Sequence, residues 1–416
     1  MSTRLKITKL NNRQDRYFNE KSPLNKLHDV AIVGGGIVGL TLALALAKRN
    51  FDVVLIEKNP SIEDTLQPSD FRVSAINLAS QALFKSLDVW PAMKSQVSPF
   101  EKVCVFEPSK AYTLEFDSAA IPSSHLGFIA GHQLMTRVLT DKLSFYPIEK
   151  FYRSVVQSLE IGLKHATLTL ETGETILSRL VVGADGMHSK LRELAGITVT
   201  ERDYHQVALV AEVQTEKPHQ KIARQCFRST GPLAFLPLKD ENTCSIVWST
   251  TATEAQRLQN LSEEMFAVEL EAAFEYRLGT VQLQSPRFTF PLKMRYAKRF
   301  VQPRFALAGD AIHTIHPLAG QGLNLGLLDV ACLADVLQAA RDKSDDIGEY
   351  AILRRYERQR KSHHVAAIAA MEMFKQGFGI SIPPLAWMRE RFLYQFNRME
   401  SLKRYCLGFA TGLKKI

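Results

Sequence analysis

The 416-residue sequence predicts an α/β fold: a parallel sheet built from βαβ units, interrupted by an antiparallel sheet and followed by a helical C-terminal region. Three observations predict it. From Asp29 a β-branched apolar run meets a glycine cluster, then a Leu/Ala-rich run to about Asn50, and Phe51 to Ile56 follows as a buried strand ending in Glu57. From about 203 to 250 the pattern changes to alternating strands. A buried run at Phe305–Ala308 then restores the parallel-sheet character, and most of the remaining chain carries helical spacing.

Each element follows from local chemistry. Val30–Ala47 runs eighteen residues without a charge, long enough to suggest a membrane span. Gly34–Gly36 and Gly39 split it into strand, turn and helix, and no other stretch reads as long enough to span. Pro60–Asp70 is a loop rich in Pro, Ser and Asp. Helical spacing resumes from Ile76 to Leu87, with Trp90-Pro91 read as its stop. Leu134–Leu143 reads as helix, Ala166–Leu170 as a strand running into the Glu171–Glu174 turn, and Leu180–Gly183 as another buried strand. Leu233–Leu238 and Ser245–Ser249 flank the turn Lys239–Asn242, which makes a hairpin. Residues 262–278 read as helix, 285–292 as strand, and a helix leads from a glycine-rich turn to about 340.

Apolar residues make up 46% and charged residues 23%, which excludes wholesale disorder. The cysteines at 104, 226, 244, 332 and 406 form no CxxC pair, arguing against a zinc site or disulfide framework and for a reducing compartment. The net charge is +9, yet residues 1–28 carry +5 and residues 350–416 carry +9, leaving −5 for residues 29–349. An acidic body with basic ends does not fit nucleic-acid recognition. Residues 1–28 lack an apolar signal region and read as a basic, flexible extension. At the other end, Phe374, Phe378, Ile380, Leu385, Trp387, Phe392, Tyr394 and Phe396 mix with Arg389, Arg391 and Arg398. That pattern suits contact with a membrane surface or a partner, or a helix pair packed on the body.

Gly34-Gly35-Gly36-Ile37-Val38-Gly39 matches GxGxxG on Gly34, Gly36 and Gly39. The first glycine permits the tight turn, the second lets a pyrophosphate approach the backbone, and the third lets helix pack on strand. The helix N-terminus then receives the negative charge. Glu57, at the end of the next strand, is placed to accept hydrogen bonds from a ribose diol. The motif by itself leaves NAD and FAD open.

Two later segments decide between them. Val182-Gly183-Ala184-Asp185-Gly186, with Ser189 and Arg192 after it, resembles the GADG signature of flavoprotein hydroxylases. Ala308-Gly309-Asp310-Ala311-Ile312-His313, through Pro317-Leu318-Ala319-Gly320-Gln321-Gly322-Leu323-Asn324, resembles their second FAD signature. From about Asp29 to about 410 the chain resembles the class A aromatic monooxygenases with the para-hydroxybenzoate hydroxylase fold. Within them it is most similar to the ubiquinone-biosynthesis hydroxylases. Arg72-Val73-Ser74-Ala75-Ile76-Asn77, Gly231–Leu238 and Leu323–Asp329 carry this narrower likeness, whereas Ala130-Gly131-His132 departs from the branch, which usually has an acid and an amide there.

The resemblance implies a glutathione-reductase-like, FAD-binding Rossmann domain at 29–102, 125–198 and 296–345, a substrate domain at 103–124 and 199–295, and a helical region at 346–416. It implies that Arg72, Gln133, Asp185, Asp310, Gly320, Gly322, Leu323 and Asn324 serve FAD beside the GxGxxG residues and Glu57. Asp310 should reach the ribityl region, Gly320 and Gly322 should open a helix facing the flavin ring, and Arg192 should pair with Asp185. Phe235 and Leu236 should wall the substrate, with His316 and Pro317 bordering the flavin. No catalytic side chain is assigned. Asp310, His313 and His316 are spaced three apart, but Pro317 and the glycines following it argue against a metal-binding helix face, and His363-His364 reads as a solvated helix face.

The implied reaction hydroxylates a polyprenylated phenol through a C4a-hydroperoxyflavin, using O2 and NAD(P)H or a protein electron donor. The implied setting is cytoplasmic, with peripheral contact to the cytoplasmic face of the inner membrane and to a biosynthetic complex, and no nucleic acid. Two alternatives stay open. One is another flavoenzyme on this fold, such as a prenyl-lipid reductase or a hydroxylase of a different phenol; a halogenase is disfavoured because tryptophans 90, 248 and 387 cannot form its WxWxIP segment. The other is a non-catalytic flavoprotein that organises a complex.

Overall fold

The computed structural model describes residues 26–62, 71–108, 113–314, 321–379, 391 and 395–413. Its helices are α1 (Ile37–Ala47), α2 (Leu78–Ser86), α3 (Trp90–Lys94), α4 (His132–Leu143), α5 (Lys190–Leu194), α6 (Ala252–Asn260), α7 (Glu263–Ala273), α8 (Gln321–Arg341), α9 (Tyr350–Gly379) and α10 (Glu400–Ala410). The first sheet has a parallel centre in the spatial order Phe305–Leu307, Thr175–Gly183, Leu27–Val33, Val53–Ile56, Glu149–Phe151. Val30–Ile32 and Val53–Ile56 are buried throughout, as a parallel sheet covered on both faces requires. Helix α1 is apolar all round because it is enclosed: it packs against α4 and α8, and α8 packs against α9.

The second sheet orders His313–Thr314, Phe288–Ala297, Val199–Thr215, Thr243–Thr251, Gly231–Pro237, Ile222–Arg228, Lys102–Phe106 and Thr113–Asp117. Strands from 102–117 thus join those from 199–297 in one sheet, and Phe288–Ala297 runs across the boundary expected at 296. The hairpin forms with Leu233 opposite Trp248 and Pro237 opposite Cys244. A small third sheet of Val73–Asn77, Gly127–Gly131 and Ser98–Phe100 lies at the junction, where Ala75, Phe100 and Ile129 pack with Ala223 and Leu236 of the second sheet.

Several expectations need correction. Trp90-Pro91 opens α3 instead of stopping a helix, since a proline in the first turn sacrifices no intrahelical bond. Ile76 and Asn77 belong to a strand, and the Asn77 side chain accepts the Ser80 N–H to start α2. Helix α6 was not anticipated, although Thr251 caps it by accepting the Glu254 N–H. Gly322–Arg341 is long and apolar enough to cross a membrane, contrary to the reading that no second stretch qualifies; its best window is 61% buried here against α1, α2 and α9. At the C-terminal end, α10 packs back on the body. Leu407 joins the junction core, Asn77 donates to the Ala410 carbonyl, and the Thr411 carbonyl accepts the Ala79 N–H.

Candidate active site

The glycine loop is shaped from both sides. Gly34 has φ +112°, and a Cβ on it would lie 2.3 Å from the Ala184 carbonyl oxygen. A Cβ on Gly39 would lie 1.8 Å from the Gly34 oxygen, so the strand-to-helix packing tolerates no side chain there. Gly36 differs: no atom lies within 4 Å of its Cβ position, and it is exposed. It starts α1 without any side-chain cap and with no acid in the first turn. Free N–H groups therefore face open space, the arrangement that receives a phosphate. The Glu57 carboxylate accepts the Gly35 N–H through Oε2, and Oε1 accepts both the main-chain N–H (2.8 Å) and the side-chain amide (2.7 Å) of Asn59. This fixes the acid at the lip of the loop.

Asp185 follows the strand beside that loop. Its Oδ2 accepts the Leu191 N–H at 3.1 Å, holding the strand-to-helix turn, while Oδ1 is enclosed with no partner among the described residues. Arg192 does not pair with Asp185 as expected. Its buried guanidinium donates to the Ala311 carbonyl at 2.9 Å and the Met187 carbonyl at 3.0 Å, bracing the Asp310 turn from below. That turn, Gly309–Ala311, follows the strand Phe305–Leu307 and begins with Gly309 at φ +64°. The Asp310 carboxylate is accessible, yet protein surrounds the recess it occupies. Desolvation raises its pKa, and the charges of His313 and Arg72 act in the opposite direction.

Arg72 is exposed at the edge of the third sheet, its guanidinium 5.8 Å from the Phe290 ring centre, and its carbonyl accepts the His132 N–H. Gln133 is half-buried in the first turn of α4, which starts at His132, two residues before the expected Leu134. The His132 imidazole meets the Ser74 hydroxyl at 2.7 Å, so the segment that departs from the branch pattern is tied to the same small sheet. Gly322 and Leu323 lie half-buried in the first turn of α8. Gly320, His316 and Pro317 lie outside the described residues. The Asn324 side chain is committed to the protein: Oδ1 accepts from the Asn77 N–H and the Ser80 hydroxyl, and Nδ2 donates to the Ala75 carbonyl. Any contribution of Asn324 to a flavin falls to its main chain.

Strand alternation separates the two substrate candidates. Phe235 is 1% exposed and packs against Phe274 of the segment following α7, with ring centres 4.0 Å apart, so it is a core residue facing away from the first domain. Leu236 points the opposite way, into the junction with Ala75, Phe100 and Ile129, and remains a wall candidate. On the same inner face, by register, stand Ala208, Val210, Glu212, Ser245 and Phe290. Burial pushes the Glu212 carboxyl pKa up, and the Ser245 hydroxyl is buried with no partner among the described residues.

A buried polar cluster behind the Asp310 turn escaped the sequence reading. Asp329 of α8 accepts from His313, Arg360, His364 and the Gly309 N–H. His364, expected on a solvated face, is fully buried, and desolvation lowers its pKa to about 4. His313, Asp329 and His364 form a compact triad of possible metal ligands, a different set from Asp310, His313 and His316; Arg360, 2.7 Å from the same carboxylate, already supplies a balancing cation. The signal was present as Tyr356, Arg360 and His364 at helical spacing on one side of α9.

Residues 28–371 match the family described as FAD binding domain. The chain is 39% identical to 3-demethoxyubiquinol 3-hydroxylase of Escherichia coli (strain K12), over 94% of this chain and 100% of that protein. The chain belongs to the FAD-dependent ubiquinone-hydroxylase family. It is also 35% identical to ubiquinone hydroxylase UbiL of Rhodospirillum rubrum, covering 94% of this chain and 91% of that one. Its fold matches p-nitrophenol 4-monooxygenase PnpA of Pseudomonas putida DLL-E4 with a TM-score of 0.76 at 18% identity, over 92% of this chain and 96% of the other. The cofactor of this ubiquinone-hydroxylase family member is FAD, and the protein is an aromatic-ring hydroxylase that takes a phenolic substrate, O2 and a reducing donor. The residues present fit FAD: an open phosphate approach at Gly36, an acid at Glu57, and an accessible acid in the Asp310 recess.

Proposed function

We propose that this protein hydroxylates the ring of a polyprenylated phenol in ubiquinone biosynthesis. The observation that carries this reading is the inner face of the second sheet. Leu236, Ala208, Val210 and Phe290 form an apolar wall that turns toward the first domain, and Arg72 reaches it over Phe290. Bound FAD would supply the two-electron chemistry that lets one oxygen atom of O2 enter the ring and the other leave as water at the expense of the donor. The chain's own work is placement and exclusion of water. First-turn N–H groups of α1 would hold the pyrophosphate, Glu57 the adenosine ribose, Arg72 and Gln133 would flank the dinucleotide, and Asp310 would accept from the ribityl chain. The apolar wall orients the phenol and excludes water from the reacting centre. An electron-rich phenol needs little base assistance, so no catalytic side chain is assigned.

The protein is proposed to work at the cytoplasmic face of the inner membrane, in peripheral contact with it or with a biosynthetic complex. Arg391, Arg398 and Arg404 are exposed in the C-terminal region, whereas Lys403 is drawn to Asn397. Phe374 and Phe378 lie on α9 with side chains outside those described, and Ile380, Leu385, Trp387, Arg389, Phe392 and Tyr394 lie outside the described residues. The test of function is oxygen consumption by the purified holoenzyme. Uptake that depends on an added prenylated phenol, with a product heavier by one oxygen, supports the reading. Phenol-independent uptake without product would favour the non-catalytic alternative.

A further inference from the structure

The turn that presents Asp310 is gripped from behind at both of its ends, directly by Tyr356 of α9 on one side and on the other by Asp329 of α8, which α9 holds in turn. Before the turn, the Tyr356 hydroxyl donates to the Leu307 carbonyl at 2.9 Å in a fully buried position. Within the turn, the Gly309 N–H donates to Asp329 Oδ2 at 3.2 Å, and after it His313 Nε2 meets the same oxygen at 3.0 Å. The other oxygen of Asp329 accepts from Arg360 Nε and His364 Nε2 of α9, each at 2.7 Å. Arg360 also reaches the Leu325 carbonyl. Steric fit reinforces this. A Cβ on Gly326 would lie 3.1 Å from the Gly309 Cα and 2.9 Å from Val38, so α1, the turn and α8 meet at contact distance one helical turn before Asp329.

Burial opposes the charge on Asp329, but His364, Arg360 and His313 overcome it and hold the carboxyl well below the usual range. An anion this enclosed is far stiffer than a surface acid, because each of its acceptor sites is already directed at a donor. Further along, Glu372 of α9 accepts from Arg202 at 2.9 Å and from the Tyr204 hydroxyl at 2.7 Å, on the longest strand of the second sheet. One helix therefore braces the recess on one side and is fastened to the substrate sheet on the other.

We propose that Asp329 is a positioning residue for the cofactor recess: through Arg360, His364 and Tyr356 it makes helix α9 set the Gly309–Asp310 turn against which the flavin dinucleotide binds. This rests on the reading of Asp310 as a cofactor contact. Asp329 and Arg360 touch no cofactor themselves, and their effect passes through the Gly309 N–H and the Leu307 carbonyl.

The experiment titrates FAD into FAD-free protein by fluorescence, alongside thermal melts of the same samples. Asp329→Leu/Arg360→Met removes the ion pair together, leaving no uncompensated buried charge, a replacement that usually preserves folding. The expected result is a folded protein whose FAD Kd is weakened at least tenfold, with faster amide hydrogen exchange in residues 308–314 of the FAD-free state. Should that variant fail to fold, Tyr356→Phe removes one grip at nearly constant volume and should still weaken FAD binding about threefold with an unchanged melt. A melting temperature that falls while the FAD Kd of the folded fraction stays within twofold of the parent overturns the proposal and leaves a structural ion pair. Asp310→Ala runs in parallel. If it too binds FAD like the parent, the reading of Asp310 has failed; if it weakens binding while the Asp329 and Tyr356 variants do not, only the positioning role has failed.

Discussion

Two alanine substitutions three residues apart in the same loop should separate folding from cofactor binding. A methyl group at Gly39 would lie 1.8 Å from the Gly34 oxygen and 3.4 Å from the Ala184 Cβ. Heavy atoms settle at roughly 3.5–4 Å, so α1 would have to withdraw from its strand by more than an ångström. Overpacking of that kind costs about 1–3 kcal/mol, a melting temperature lower by about 1–4 °C in the FAD-free protein. At Gly36 nothing lies within 4 Å, and φ −74°, ψ 178° suits any residue. Replacing an N-cap glycine by alanine costs at most about 1 kcal/mol, so Gly36→Ala should melt within about 1 °C of the parent. Its methyl group nevertheless occupies the space where phosphate oxygens meet the first-turn N–H groups. Losing one charge-assisted hydrogen bond is worth about 1.5–3 kcal/mol, which weakens the FAD Kd by about 10- to 150-fold. Differential scanning calorimetry of FAD-free protein and fluorescence titration with FAD measure the two quantities separately. A Gly36→Ala protein that binds FAD within twofold of the parent would refute the placement of the pyrophosphate.

Three further outcomes are expected. Asp310→Ala should lower FAD affinity by about one to two orders of magnitude with the fold intact, measured by the same titration, and parental affinity should fall with pH as the raised carboxyl protonates, a dependence absent in Asp310→Asn. Phe235→Ala should cost about 3–5 kcal/mol in denaturant melts, because it empties a core site against Phe274, whereas Leu236→Ala should raise the KM for a prenylated phenol with a smaller loss of stability. His364 has a folded-state pKa near 4, below its unfolded value of about 6.5, so its contribution is present above pH 6.5 and is lost as pH falls toward 4; His364→Gln should flatten that limb of the stability profile in calorimetric melts.

Local chemistry made much of the first domain legible. GxGxxG, Glu57 and the buried strands are sequence-local features, since Gly34 and Gly39 answer contacts within the same βαβ unit or the adjacent strand. The Gly309–Asp310 turn was legible for the same reason. What escaped reading was long-range pairing. Arg192 lies seven residues from Asp185, yet its guanidinium is claimed by the Ala311 carbonyl 119 positions away, where a buried acceptor needs a donor. Asn324 sits inside a cofactor signature, but its amide is used by Ala75, Asn77 and Ser80, nearly 250 positions earlier. His364 looked solvated because its neighbours are basic; the partner that buries it, Asp329, lies 35 positions upstream. Motif spacing reports which residues occur together, and only packing reports which acceptor each donor meets.

The substrate wall shows the same limit at the scale of one residue. Gly231–Pro237 is apolar along its length, so composition alone cannot say which side chains face the cleft, and Phe235 and Leu236 look equivalent. Period-two geometry makes them opposites: a register that sends Phe235 to Phe274 sends Leu236 to the junction with the first domain. The same register carries across the neighbouring strands, placing Ser245 beside Leu236, then Glu212 beside Ser245. The inner face therefore gains a buried hydroxyl, Ser245, one strand from Leu236 and a desolvated carboxyl, Glu212, two strands from it. A phenol with a long apolar tail presents this polarity in complementary form, with ring hydroxyls that can satisfy Glu212 or Ser245 and a chain that can lie along the apolar stretch. Phe235 cannot contribute to that fit without turning the strand over, which would expose the whole α6–α7 face of the sheet to water.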